Sequence, residues 1–427
     1  VPLAELEGIA RRAITPALAL YLDVHAHPEL SGRESRTAGL LAAWLAARGY
    51  EVTTGIGGHG VAGVLRNGPG PSVMLRCELD ALPVAERTGL AYSADPAAGV
   101  MHACGHDAHL ACAAACAALL SAHRDGWRGT VIVLGQPAEE TLSGAAALLA
   151  DGLFARCGRP DVLLAQHLGP FPAGMVAHAG RSAPVTAAAV ALSVRLHGRG
   201  GHAGVPHLAA NPVDAAADLA RDIRGLAAAG PAGLLAVTTA IQAGGRPNII
   251  PDQAVLGVSL RGADLADLDQ AQQAVERFAT MRSAAAGCPR PPEITRVAAA
   301  PAGVNDPDAA ARVRAAHVGA FGPDRVTGLP PSGVAEDFPL LAAQAPGGPV
   351  PSVYWTTGCI GPRAWAAAPG TGAAQKIAAL PANHSAEFAP DPLPTLVTGT
   401  AALAAAALAF LPPADGCAPR HHEGNLR

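Results

Sequence analysis

Apolar positions along the first 180 residues follow two alternating rhythms. In "GRESRTAGLLAAWLAARGY" (32–50) they recur at helical spacing and stop at Gly49, which predicts a helix with a glycine end. "SVMLRCELDALP" (72–83) is a short apolar run that opens into polar residues. "GTVIVLGQPAEE" (129–140) and "DVLLAQHLGP" (161–170) repeat that design. Buried strands that each release polar groups at their C-terminal ends, separated by helices, predict an open α/β sheet with a site at its strand tips.

From residue 184 the texture changes. "VTAAAVALSVRLHGRG", "LLAVTTAIQAGG" and "AVLGVSLRG" read as strands. "NPVDAAADLARDIRGLAA" and "ADLDQAQQAVERFATMRSAAAG" read as helices. The order β-α-β-β-α-β predicts a small two-layer unit. The helical "DAAARVRAAHVGAFG" and the strand "PSVYWTTG" then return to the first pattern. The expected fold is α/β: an open mixed-sheet domain with helices on both faces, interrupted by a smaller α+β two-layer domain. Its parts are residues 1–183, the inserted domain 184–296, and residues 297–427. The Gly-, Pro- and Ala-rich stretch 360–381 is expected to be a long loop.

Composition narrows the function. Half of the 427 residues are hydrophobic, 15% are charged and the formal net charge is −4. A large core is therefore available, and no broad basic field points to nucleic acid. The eight cysteines lack the dense spacing of a secreted disulfide framework, and the N-terminal stretch lacks a signal-peptide pattern. A cytoplasmic protein with no membrane partner is expected. The apolar segment 395–411 is shorter than the ~20 residues of a typical span and is expected to be a buried helix. His421 and His422, in the tail, are expected to be solvated.

The chemistry concentrates in "MHACGHDAH" (101–109), where three histidines, an aspartate and a cysteine fall within eight positions before an alanine-rich run. Cys104 and His106 flank a glycine at a helix start, Glu139 and Glu140 end one strand, and His167 ends another. His384 lies far downstream in "ANHSAEF". Together these donors suffice for two divalent ions if one ligand or a water bridges them. Adjacent glutamates suit a division of labour, one ligating and the other taking a proton from water. Singly each signal is weak: a lone histidine is usually a cap or a surface residue. His202, in "GRGGHAGVPH", reads on its own as a capping residue of a turn, and Arg261 as an exposed strand end.

Nine stretches in order, "HAHPELSGRES", "RCELDALP", "GVMHACGHDAH", "GQPAEET", "AQHLGP", "GRGGHAGVPH", "GGRPNIIPDQ", "AEDFP" and "NHSAEF", resemble the dinuclear zinc aminoacylase/carboxypeptidase family. The similarity is to its amidohydrolase branch, which contains hippurate hydrolase and indole-acetyl-amino-acid hydrolase. The resemblance implies that Cys104, His106, Glu140, His167 and His384 are metal ligands and that Glu139 is the general base. It implies that Asp80 orients a ligand. In the inserted lid domain, it implies that His202 reaches across a dimer to polarise the scissile carbonyl, and that Asn248 and Arg261 hold the substrate carboxylate. His102 and His109 belong to the motif but are expected to support or cap and not to ligate. Cys77 stands where the family usually has a small residue and is expected to pack.

The implied activity is hydrolysis of the amide bond of small-molecule N-acyl-amino acids with two divalent ions, Zn or Mn first and Co or Ni as alternatives. The other readings are a peptidase or N-carbamoyl-amino-acid hydrolase on the same site, and a non-catalytic binding member. A homodimer is implied by the role of His202, and a homodimer or higher homo-oligomer is expected.

Overall fold

The computed structural model describes residues 3–181, 183–330 and 333–414; His421, His422 and Cys417 lie outside the described residues. The chain divides into two compact units, one formed by Val1–Ala183, Asn305–Pro330 and Leu341–Arg427, the other by Pro184–Val304 and Pro331–Leu340.

In chain order the first unit begins with α1 (Leu3–Ala26), α2 (Ser35–Ala46), β1 (Glu51–Ile56), β2 (Gly60–Asn67) and β3 (Ser72–Glu78). It continues with α3 (His106–Ala122), β4 (Gly129–Gln136), α4 (Gly144–Ala150), α5 (Leu153–Cys157), β5 (Val162–Pro172) and β6 (Val176–Ala179). The second unit contributes β7 (Pro184–Thr186), β8 (Ala188–His197), β9 (Gly201–His202), α6 (Pro212–Ala229), β10 (Leu235–Ala243) and β11 (Ile249–Ile250). It goes on through β12 (Gln253–Gly262), α7 (Leu265–Ala285), β13 (Glu293–Ala300) and β14 (Gly303–Val304). The chain then runs through α8 (Pro307–Phe321), β15 (Val326–Leu329), α9 (Phe338–Ala343), β16 (Ser352–Ile360), α10 (Pro362–Ala367), α11 (Ala373–Ala379) and α12 (Pro392–Phe410).

The first unit is built on a mixed sheet of order β1-β2-β4-β3-β5-β16-β6-β15. Its centre, β4-β3-β5-β16, is parallel; Asp80 and the Glu139–Glu140 pair follow the ends of β3 and β4, whereas His167, expected to end a strand, lies inside β5, which runs on to Pro172. Apolar runs of the β4 kind are buried on both sides, as a covered parallel sheet requires. Helices lie on both faces: a Cβ at Gly63 would meet Leu45 of α2, and one at Gly60, of opposite parity on β2, would meet Leu148 of α4. α3 is buried nearly all round, and its alanines and cysteines let α1, α12 and the sheet approach it closely. Cys77 is buried and packs as expected.

The second unit is a two-layer α+β body. An antiparallel sheet of order β10-β12-β8-β13 carries α6 and α7 on one face, and alternating burial along β8 and β12 points Val190, Leu192, Val194, Leu256 and Val258 into the core. Asn211 caps α6 by accepting from the Val213 N–H, with Pro212 in the first turn.

Two expectations are corrected. A return to the first unit at residue 297 would cut β13, whose Ala300 still pairs with Ala189; the second unit extends to Val304 and also takes Pro331–Leu340. The stretch 360–381 is not a simple loop: it carries α10 and α11, latched by the Lys376 ammonium, which donates to the Trp365 carbonyl at 2.8 Å. α12 is long and apolar enough to cross a membrane, yet it is mostly buried, packed on α1, α3, α8 and β16.

A histidine pair lies in this core. His317 Nε2–H donates to the Ala402 carbonyl (3.0 Å), so its Nδ1 accepts from His178 Nε2–H at 2.9 Å. Burial lowers the pKa of His178 to about 3, helped by His317, and that of His317 to about 4. Folded pKa values below the unfolded one give stability that is complete above about pH 6.5 and lost as pH falls toward 4. Urea unfolding should show each of these histidines costing on the order of 3 kcal/mol between pH 7 and pH 4, about 6 kcal/mol for the pair. A His178→Leu/His317→Leu double variant should have a correspondingly shallower acid limb.

Candidate metal centre

The tips of β3 and β4 and the middle of β5 bring the predicted donors together with the N-terminus of α3. Asp80, just past β3, accepts from Ser31 Oγ (2.8 Å) and from the Glu140 N–H (2.9 Å). His106 Nδ1–H donates to the Asp80 carbonyl at 2.9 Å, with the carboxylate at 3.2 Å. That fixes the tautomer and turns the Nε2 lone pair inward. His106 Nε2 lies 3.8 Å from Glu139 Oε2 and 3.8 Å from Glu140 Oε1. Burial opposes charge on His106, but Asp80 and Cys104 hold its pKa well above the usual imidazole value.

Cys104 is the common member of two donor sets. Cys104, His106 and His167 form one, and Cys104, Glu140 and His384 the other, each with its ligand atoms within 4.8 Å of one another. Cys104 Sγ is 3.4 Å from His167 Nε2, whose ring is turned that way because Nδ1–H donates to the Leu168 carbonyl at 2.8 Å. His384 Nε2 lies 3.4 Å from Glu140 Oε2. Hydrogen bonds that His384 donates to Cys104 and Glu140 raise its pKa to about 10. Burial lifts the Cys104 thiol and, with His109, drops His167 well below the usual range.

The backbone bends sharply around these donors. Among the described residues the non-glycine positive-φ positions are Ala138, Leu142 and His384: one is a donor and two bracket the glutamate pair. Such conformations persist where surrounding structure holds them, commonly at sites. Gly105 opens α3 at φ 87°, and a Cβ there would come within 2.9 Å of Leu168, so glycine serves both the turn and the close approach of β5.

The remaining motif residues form the support. His109 donates from Nδ1 to Glu78 (2.7 Å) and accepts the Leu168 N–H at Nε2 (2.9 Å). Both its nitrogens are committed, although its atoms fall in a further donor group with Glu78 and His106. Arg76 pairs with Glu78 in full burial. Asp107 lies 2.6 Å from His25 of α1, which also reaches Glu86 at 3.2 Å. Burial works against charge on His25, yet these two carboxylates raise its pKa to about 9. His102 is buried, and burial lowers its pKa to about 4. His25, Glu86 and Glu78 were not singled out in the sequence reading; His25 and Glu78 lie inside "HAHPELSGRES" and "RCELDALP", which offered the only signal.

His202, Asn248 and Arg261 belong to the second unit. The β9–β11 ribbon pairs His202 with Ile249, and the Ala203 N–H donates to the Asn248 carbonyl at 3.1 Å, so His202 and Asn248 are neighbours. His202 Nδ1 accepts from the Gly204 N–H at 2.9 Å. Arg261, on β12, donates to the Gly333 carbonyl at 2.7 Å and is partly buried.

The residues fit a divalent metal. His106 Nε2 and Glu140 Oε1 are buried acceptors without a hydrogen-bond partner among the described residues. Buried lone pairs of this kind are costly unless something electropositive meets them. The mixed S, N and O donor set suits zinc and neighbouring transition metals.

Residues 74–371 match the model of peptidase family M20/M25/M40, and the chain belongs to that family. It is 36% identical over 250 residues to thermostable carboxypeptidase 1 of Saccharolobus solfataricus, covering 56% of this chain and 62% of that protein. It is 36% identical over 245 residues to hippurate hydrolase of Campylobacter jejuni, covering 56% and 63%. The matches thus span less than two thirds of these relatives' lengths. In fold it resembles the YXEP protein of Bacillus subtilis, a dinuclear metal-binding peptidase of family M20, with TM-score 0.66, 24% identity, and 94% and 99% of the two chains covered.

Raised histidine pKa values and a buried thiol mean that metal must displace protons here. Affinity measured by chelator competition should rise with pH, by up to about tenfold per unit for each proton displaced. Calorimetry in buffers of different ionisation enthalpy should detect the release.

Proposed function

We propose that this chain is a metal-dependent amidohydrolase that cleaves N-acyl-amino acids, hippurate-like conjugates among them, to a carboxylic acid and a free amino acid. The observation that carries the reading is the pair of donor sets sharing Cys104, with the Glu139 carboxylate beside them. The name of the hippurate hydrolase relative supports the substrate class.

Two divalent ions, zinc or manganese first and cobalt or nickel as alternatives, would supply Lewis-acid stabilisation of the carbonyl oxygen and acidify water. Cys104, His106, Glu140, His167 and His384 are the residues to hold them. Glu139 is the base: it takes a proton from the attacking water and returns it to the leaving amine nitrogen. Asp80 keeps His106 in the ligating tautomer through the contact at Nδ1. In the second unit, Arg261 and Asn248 offer the donors for the substrate's free carboxylate, and His202 a donor for the oxygen that gains charge.

A homodimer is part of the proposal. β10 is a sheet edge with Leu235, Val237 and Ile241 exposed, a surface that suits a second copy. The described cysteines are free thiols, in keeping with a reducing cytoplasm.

A peptidase acting through the same centre is the second reading, favoured by the carboxypeptidase relative. Assays on hippurate, N-acetyl-amino acids, dipeptides and N-carbamoyl-amino acids separate the two. Turnover of acyl conjugates, lost with chelator and restored by zinc or manganese, is expected. Turnover of dipeptides alone establishes the second reading, and no turnover with metal restored overturns both. Glu139→Gln should retain metal and lose roughly 10²- to 10⁴-fold in kcat.

A further inference from the structure

The Asn383 side chain, next to His384, touches two other donor-bearing segments, those of Cys104 and His167. Asn383 is partly buried, and its Nδ2 lies 3.2 Å from the Cys104 carbonyl, 3.5 Å from the Leu168 carbonyl and 3.9 Å from Cys104 Sγ. Carbonyl oxygens only accept, so the amide must present its NH₂ to this group. Two N–H hydrogens face three acceptors, and one of them is shared.

The acceptors are not incidental. The Leu168 carbonyl is the one that receives His167 Nδ1–H and sets the direction of that ring. The next residue, His384, donates its backbone N–H to the Ala103 carbonyl at 2.7 Å. Residues 383 and 384 therefore clasp residues 103 and 104 at two consecutive points. Within this clasp His384 adopts φ 69°, a conformation unfavourable for a non-glycine residue that needs external support.

We infer that Asn383 is a positioning residue for the metal centre: its amide locks the segments bearing Cys104, His167 and His384 into one arrangement and donates to the Cys104 sulfur. The inference rests on the metal-centre reading above. Removing the amide leaves the sulfur more electron-rich and the His384 turn unsupported.

The test uses the full chain and Co²⁺ as the probe. Asn383→Leu removes the donors at similar volume, and Asn383→Asp turns acceptors toward two carbonyls and the sulfur. Both should bind Co²⁺ roughly 10- to 100-fold more weakly in chelator competition. At saturating metal, the sulfur-to-cobalt charge-transfer band of Asn383→Leu should move to longer wavelength. Unfolding midpoints of the metal-free proteins check the fold, with Asn383→Ala replacing any variant that does not fold. Wild-type affinity and an unmoved band overturn the inference alone. Weaker binding with an unmoved band overturns it too, because that is the signature of a mere loop anchor. A wild-type chain that takes up no Co²⁺, Zn²⁺ or Mn²⁺ overturns the functional reading and the inference with it.

Discussion

The structure depends on holding lone pairs toward one another where water is scarce. A buried imidazole nitrogen, carboxylate or sulfur that accepts nothing is unfavourable, and several of them converging is more so. The fold imposes the convergence from outside. Asp80 takes His106 Nδ1–H and the Leu168 carbonyl takes that of His167, so each ring has one way to face. Left-handed turns at Ala138, Leu142 and His384 complete the arrangement at a conformational cost.

That imposition needs a rigid base. Parallel strands deliver Asp80, the glutamate pair and His167 to one edge of the sheet, and α3 brings Cys104 and His106 against it. The alanine-rich body of α3 is smooth enough to be buried on every side, and Gly105 lets β5 approach its first turn. Behind it, His25 between Asp107 and Glu86 binds α1 to the same helix start with ionic hydrogen bonds. The support of the centre is therefore itself polar, buried and paired.

Much of this was legible along the chain. Apolar runs that open into acids marked the strand tips, and the change of rhythm at residue 184 marked the second unit. Local signals failed where partners are distant. His25 meets residues 61 and 82 positions away, and no local pattern announces that meeting. The Gly- and Pro-rich stretch before His384 looked irregular, yet Lys376 and Trp365 close α10 and α11 upon each other. A unit boundary at 297 falls inside β13, whose extent is set by its pairing with the distant β8 and not by a local pattern.

The sequence alone determined the donor types, their order and their attachment to strands and one helix start, since periodicity and residue chemistry are local properties. Tertiary structure decided which nitrogen of each histidine faces inward, that Cys104 belongs to both donor sets, and that His109 is committed elsewhere. Apart from the bond of His167 to the adjacent Leu168 carbonyl, those outcomes turn on contacts between residues tens to hundreds of positions apart. Only the folded chain brings such groups within reach of one another.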